Sequence, residues 1–179
     1  MTYIDLGNNL PGIRGLVSYR PESGKSLYAL ARILLSGESS LTQAERELMA
    51  AYVSSLNGCR FCTQSHAAAA RVVYRDESYI VDEVLKSGQS RQLSSKINAL
   101  LEIAERVQKN GKLVSKELVA KAKLKGATDR EVHDTVLIAS VFCLFNRYVD
   151  GLGAYTPENL EEYKQMGERM ISNQYQFPK

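Results

Sequence analysis

The chain has 179 residues, 44% hydrophobic and 24% charged, with a formal net charge of +3. That composition suits one globular domain with a core of its own, so a single domain over 1–179 is expected. The Lys and Arg residues are scattered among Asp and Glu, with no basic stripe interleaved with aromatics, and nothing marks a nucleic-acid partner. The longest apolar run, Val136 to Phe145, is interrupted by Ser140 and is too short to span a bilayer, so no membrane partner is expected. Met1 to Pro11 lacks the basic and apolar regions of a secretory signal. A cytoplasmic location is the expectation. In a reducing cytosol three cysteines, two of them in CxxC, point to redox chemistry or metal rather than a disulfide framework.

The first segment is punctuated by Gly7, Pro11, Gly12, Gly15 and Pro21, and an extended N-terminal arm over 1–22 is expected. Lys25 to Leu35 carries Leu27, Leu30, Ala31 and Leu34 at helical spacing, with Gly37 to close it. Thr42-Gln43-Ala44-Glu45 is a capping box, and its helix stops at Asn57-Gly58. A second helix follows at once, through the small residues Ala67 to Ala70, to about Tyr74. Helices are predicted from Ser78 to Lys86, Leu93 to Lys109 and Ser115 to Leu124. A second capping box, Thr128-Asp129-Arg130-Glu131, starts the most apolar helix, which runs to about Val149. Thr156-Pro157 predicts the start of a last helix that reaches Met170. No segment alternates with period two and no βαβ unit appears. The fold class is all-α, a compact multi-helix bundle.

Chemistry concentrates in Asn57-Gly58-Cys59-Arg60-Phe61-Cys62-Thr63-Gln64-Ser65-His66, a CxxCxxxH array at the start of a helix. At about 100° per residue, Cys59, Cys62 and His66 fall within an arc of roughly 60°. An unperturbed cysteine is only about 3% thiolate at neutral pH. A helix N-terminus favours the anion, and a base one turn on can take the proton. Attack by Cys62 on a peroxide O–O bond would give a sulfenic acid that Cys59 could resolve as a disulfide. Glu47 lies ten residues before Asn57, about 15 Å down its helix, and His66 lies a similar distance beyond. In an antiparallel hairpin the two side chains meet at one level, where a carboxylate can orient the imidazole.

Plainer readings compete for the same residues. A CxxC can be half of a zinc site, but four ligands are usual and there is no second CxxC; Glu47 or the distant His133 would have to complete it. A thioredoxin-like fold needs a strand before the CxxC, where Thr42 to Leu56 reads as helix. Cys143, within an apolar run, reads as a buried and inert thiol. His133 beside Asp134 reads as a surface or helix-packing residue.

At these residues the sequence resembles the alkylhydroperoxidase D-like (AhpD-like) branch of the carboxymuconolactone decarboxylase family. The family pattern of a glutamate, a short turn and CxxCxxxH is matched by Glu47, Asn57-Gly58, Cys59, Cys62 and His66. Leu10-Pro11-Gly12-Ile13, Tyr19-Arg20-Pro21-Glu22 and the stretch Phe145 to Gly153 look like the peroxidase-related subgroup. The resemblance implies an AhpD-like all-helical subunit that forms a homo-oligomer. It implies a peroxidase without haem, flavin or other cofactor and without metal. By that similarity Cys62 is the peroxidatic thiol, Cys59 the resolving thiol, and His66 with Glu47 the proton relay.

The partners so implied are an organic hydroperoxide, or hydrogen peroxide, and a thiol or dithiol reductant of lipoyl or thioredoxin type. One departure is Phe61, where some AhpD proteins carry a second histidine between the cysteines. Two other functions fit a helical pocket of this kind: a decarboxylase-like lyase or isomerase, and a non-enzymatic CxxC redox sensor or metal-binding module. The cysteine pair favours the peroxidase over the lyase, which has no need of a resolving thiol.

Overall fold

The computed structural model describes residues 2–177, which among them form helices and no strand. The fold of these residues is all-α. Its spine is an antiparallel pair, α3 (Gln43–Leu56) and α4 (Arg60–Tyr74). The capping box forms as predicted: the Thr42 hydroxyl accepts from the Glu45 N–H, and the Glu45 carboxylate accepts from the Thr42 N–H at 2.7 Å. Asn57 ends α3, and Gly58 adopts φ 74°, a left-handed value that glycine takes at low cost. The chain thereby reverses within a few residues, and Cys59 becomes the N-cap of α4.

Around this pair lie α2 (Pro21–Ser36), α5 (Tyr79–Ser87), α6 (Ser95–Lys109) and α7 (Lys116–Leu124). The long α8 (Asp129–Gly151) begins at the second capping box, where both Thr128–Glu131 hydrogen bonds form. Leu48, Met49, Val53, Leu100, Ile103, Ile138 and Phe142 are almost wholly buried, so α3, α6 and α8 share the main core. A smaller apolar cluster gathers Leu6, Leu16, Phe61, Val149, Tyr163 and Met166 around Cys59 and Cys62. The cysteine pair therefore sits inside packing, not on a loop. Among the described residues no helix is long and apolar enough to cross a membrane.

Two expectations need correction. The arm expected to be extended over 1–22 contains a helix, α1 (Ile13–Tyr19), and α2 begins at Pro21. Leu16 and Val17 are buried, and that burial outweighs the local glycines. The glycines serve close approach instead: a Cβ on Gly24 would press against Val17, and one on Gly15 against the Leu10 carbonyl oxygen. The last helix, α9 (Leu160–Asn173), starts later than Thr156-Pro157 suggests. Asn159 is its N-cap and accepts from the Glu161 N–H, while the Pro157 carbonyl is taken by the Tyr163 hydroxyl at 2.9 Å.

Within the run Ala67 to Ala70, α9 lies against α4 at Ala68 and Ala69. Gly167 completes the contact, since a Cβ there would stand 2.6 Å from the Ala68 carbonyl carbon and 2.7 Å from the Ala69 nitrogen. Those obstacles are backbone atoms and cannot rotate away. Gly167→Ala gains helix propensity yet should still lose about 1–3 kcal/mol of stability from overpacking, read from urea denaturation. A variant as stable as the parent would show that α9 is not seated on α4 in this way.

Candidate active site

Helix α3 is buried on nearly every side yet carries Arg46, Glu47 and Ser54 inward. Buried polar groups require partners, and each of these has one. The Arg46 guanidinium donates to the carbonyls of Leu34 at 3.0 Å and Gly37 at 2.9 Å, closing the C-terminal end of α2. Ser54 accepts from the Asn146 side chain of α8 at 3.0 Å. Asn57 Nδ2 donates to Asn146 Oδ1 at 2.8 Å, and Gln108 of α6 donates to Asn57 Oδ1 at 3.0 Å. The turn before the cysteines is thus tied to α6 and α8.

Glu47 has no exposed surface. Its Oε2 lies 2.8 Å from His66 Nδ1, so Glu47 on α3 and His66 on α4 do meet at one level of the hairpin. A carboxylate only accepts, which places the proton on Nδ1 and leaves Nε2 as the nitrogen open to chemistry. The other oxygen, Oε1, accepts from the Tyr175 hydroxyl at 2.6 Å. Burial first, and the Glu47 charge second, push the Tyr175 phenol up, so it stays protonated as the donor. Phe142 packs edge-on against the imidazole with ring centroids 4.5 Å apart.

Cys62 and His66 line a cavity of about 160 Å³ with apolar walls that include Leu27, Leu35, Phe61, Phe142 and Met166. Cys59 is fully buried beside it and does not line the cavity. The hydrogen bond to Cys62 is the main cause that pushes the Cys59 thiol up; burial, the Cys62 charge and the neighbouring Asp150 carboxylate add to it. Cys62 thus faces the cavity while Cys59 is enclosed beside it. The two thiols are not equivalent.

Phe61, between the cysteines, faces Tyr163 of α9 with centroids 6.1 Å apart, and its ring fills the space that a side chain at Gly12 would need. Cys143 is half-buried rather than fully enclosed, with Asn57 Nδ2 3.5 Å from its sulfur. His133 is largely exposed and pairs with Asp134. Among the described residues no three His, Cys, Asp or Glu side chains gather as a metal cluster.

A carboxymuconolactone decarboxylase family model matches residues 21–106, a span holding Glu47, Cys59, Cys62 and His66. Over that span the chain is similar to the carboxymuconolactone decarboxylase family. No curated protein matches the chain. Among solved structures, the chain is similar to an alkylhydroperoxidase AhpD core, an uncharacterized peroxidase-related protein from Ralstonia eutropha JMP134. The TM-score is 0.77 at 25% identity, over 88% of this chain and 81% of that one. An uncharacterized peroxidase-related protein from Silicibacter sp. TM1040 gives a TM-score of 0.77 at 23% identity, over 86% of this chain and 78% of that one. A protein of unknown function from Agrobacterium tumefaciens gives 0.71 at 20% identity, over 89% and 100%. The last two likenesses are of fold.

The residue that sequence reasoning missed is Tyr175, beyond the end of α9 and outside the matched span 21–106. Gln174 and Tyr175 take φ values of 47° and 56°, turning the tail back over the cavity. Such values cost an L-residue about 1–2 kcal/mol, so a compensating contact is required. The hydrogen bond to Glu47 supplies it. Tyr175→Phe leaves Glu47 Oε1 without its donor and should destabilise the protein by about 1–3 kcal/mol in urea denaturation. It should also speed amide exchange of the tail; an unchanged tail would show that the hydrogen bond does not hold it.

Proposed function

We propose that the protein is a thiol peroxidase in which Cys62 reduces a hydroperoxide and Cys59 resolves the product. The observation that carries this reading is the asymmetry of the thiols. Cys62 shares an apolar cavity with His66, whose Nδ1 is held by Glu47, while Cys59 is fully buried beside it and stays outside the lining. The family match and the likeness to a peroxidase-related AhpD core support the same class.

In the first step the Cys62 thiolate attacks the terminal oxygen of ROOH. An S–O bond forms, the O–O bond breaks, and the departing alkoxide leaves as ROH with the proton that His66 Nε2 took from Cys62. In the second, Cys59 sulfur attacks Cys62 sulfur; S–S forms, S–O breaks, and hydroxide leaves with the Cys59 proton as water. A dithiol reductant, of lipoyl or thioredoxin type, then returns both thiols by exchange and departs as its own disulfide. Glu47 holds the imidazole in the tautomer that accepts a proton at Nε2, and His66 with Glu47 acts as one relay.

A homo-oligomer belongs to this reading. Tyr3, Ile33, Leu124 and Leu160 leave apolar surface exposed, although Tyr52 and Tyr163 are core residues and the tyrosines are not uniformly a surface set. Light scattering at micromolar concentration should give a mass above that of one chain, and a monomer would remove that part of the proposal.

The roles are separable by rapid kinetics and peptide mass analysis. Cys62→Ser should abolish hydroperoxide consumption, and Cys59→Ser should allow one burst that ends in Cys62 sulfenic or sulfinic acid. Turnover surviving in Cys62→Ser would reverse the assignment. Glu47→Gln and His66→Ala should each slow hydroperoxide reaction by roughly 10²–10⁴-fold, the range of general acid–base contributions. The double variant should lose little more, since paired residues act as a unit. Losses that multiply would make Glu47 a structural charge only.

A further inference from the structure

The cavity has a chemical gradient along its depth. Leu35 and Phe142 at its floor are buried, whereas Arg169, Asn173 and Gln176 at its edge are exposed. Arg14 of α1, half-buried, joins Arg169 of α9 in that lining. Among the described residues neither guanidinium has a carboxylate within ion-pair distance or a side-chain hydrogen bond. Elsewhere cations do find partners, as Lys96 does with Glu131 and Arg71 with Asp82. Both guanidinium groups line the same cavity, and burial first, with the Arg14 charge second, pushes the Arg169 guanidinium down. The Tyr28 phenol lies within the field of both.

Two like charges brought together without a counter-charge are an unfavourable arrangement that a bound anion relieves. Arginine is suited to the task, because its planar fork matches a carboxylate through paired N–H donors. Below the pair the walls are apolar, and a cavity of about 150 Å³ takes a benzene-sized body. At the floor lie Cys62 and His66.

We infer that this cavity takes a carboxylate-bearing hydroperoxide, with a benzene-sized apolar body between Cys62 and a carboxylate held by Arg14 and Arg169. The inference rests on the peroxidase reading for the fate of the O–O bond, but the carboxylate site itself does not. The pair sets both affinity and orientation: with the anionic head fixed at the mouth, the far end of the body is delivered to the Cys62 sulfur. A neutral hydroperoxide of equal size enters without that guidance.

The test separates the two claims by using a redox-inert probe first. Isothermal titration calorimetry of the full chain compares para-isopropylbenzoate with para-isopropylbenzyl alcohol, its neutral counterpart. The benzoate should bind roughly tenfold more tightly at low salt, a preference that shrinks as ionic strength rises. The preference should collapse in the Arg14→Gln/Arg169→Gln double variant and be largely retained in Arg14→Lys. Equal binding of the two probes overturns the carboxylate site, as does a preference indifferent to salt, which is read on the parent even if the double variant fails to fold.

The second arm compares cumene hydroperoxide with its para-carboxy derivative. Here a KM roughly tenfold lower for the carboxylated substrate is the expected result. Consumption of neither hydroperoxide would overturn the substrate assignment together with the peroxidase reading, while leaving the calorimetric carboxylate site in place.

Discussion

A carboxylate with no solvent exposure, Glu47, is the constraint from which much of the site follows. Such a group is tolerated only when both oxygens are occupied by good donors. Here each oxygen has one: Oε2 the imidazole N–H of His66, Oε1 the hydroxyl of Tyr175. The donors come from different elements, one on α4 and one in the tail beyond α9. Satisfying Glu47 therefore sets the register of the α3–α4 hairpin and the path of the C-terminal segment at once. It also decides which imidazole nitrogen is left free. On the proposed mechanism, stability and proton transfer draw on the same pair of hydrogen bonds.

The other polar insertions in α3 have a similar logic at other levels of the helix. Arg46 closes the end of α2 through two carbonyls, and Ser54 with Asn146, Asn57 and Gln108 locks the turn that delivers Cys59. A helix N-terminus can favour a thiolate only if it is held in place, because the benefit falls away within the first turn. The network around Asn57 does that holding from α6 and α8, so the mouth of α4 is braced by helices distant in sequence. Neutral amides perform the bracing, which places no counter-charge beside the thiols.

What could be seen in the sequence was local in physical origin. The capping boxes at Thr42/Glu45 and Thr128/Glu131 are satisfied within four residues, and both appear as read. The Glu47–His66 meeting was legible because a tight turn between two regular helices converts counting into distance. Other features depended on packing between remote segments. Helix α1 forms because Leu16 and Val17 are buried by tertiary contacts, which residues as permissive as Gly12 and Gly15 obscure. Asn159 captured the N-cap of α9 because Tyr163 claimed the Pro157 carbonyl, a competition invisible before folding. Tyr175 had no signal at all: its partner is 128 positions away, and its backbone leaves the helical pattern just where a sequence reading stops.

The division between these two kinds of feature coincides with a division in the cavity. Glu47, Cys59, Cys62 and His66 all lie within residues 21–106, on the hairpin whose geometry is local. Of these Cys62 and His66 line the cavity, and much of the remaining lining comes from outside that span: Ile13 and Arg14 from α1, Phe142 and Phe145 from α8, Met166 and Arg169 from α9, and Tyr175 from the tail. Phe61 joins the two sets, since its ring rests on Tyr163 and occupies the space beside Gly12. A reactive pair whose shape is set by one short turn can be retained while the helices that wall it exchange side chains. On the proposed mechanism the α3–α4 hairpin carries the bond-making groups, and α1, α8, α9 and the tail wall the cavity through which a substrate reaches them.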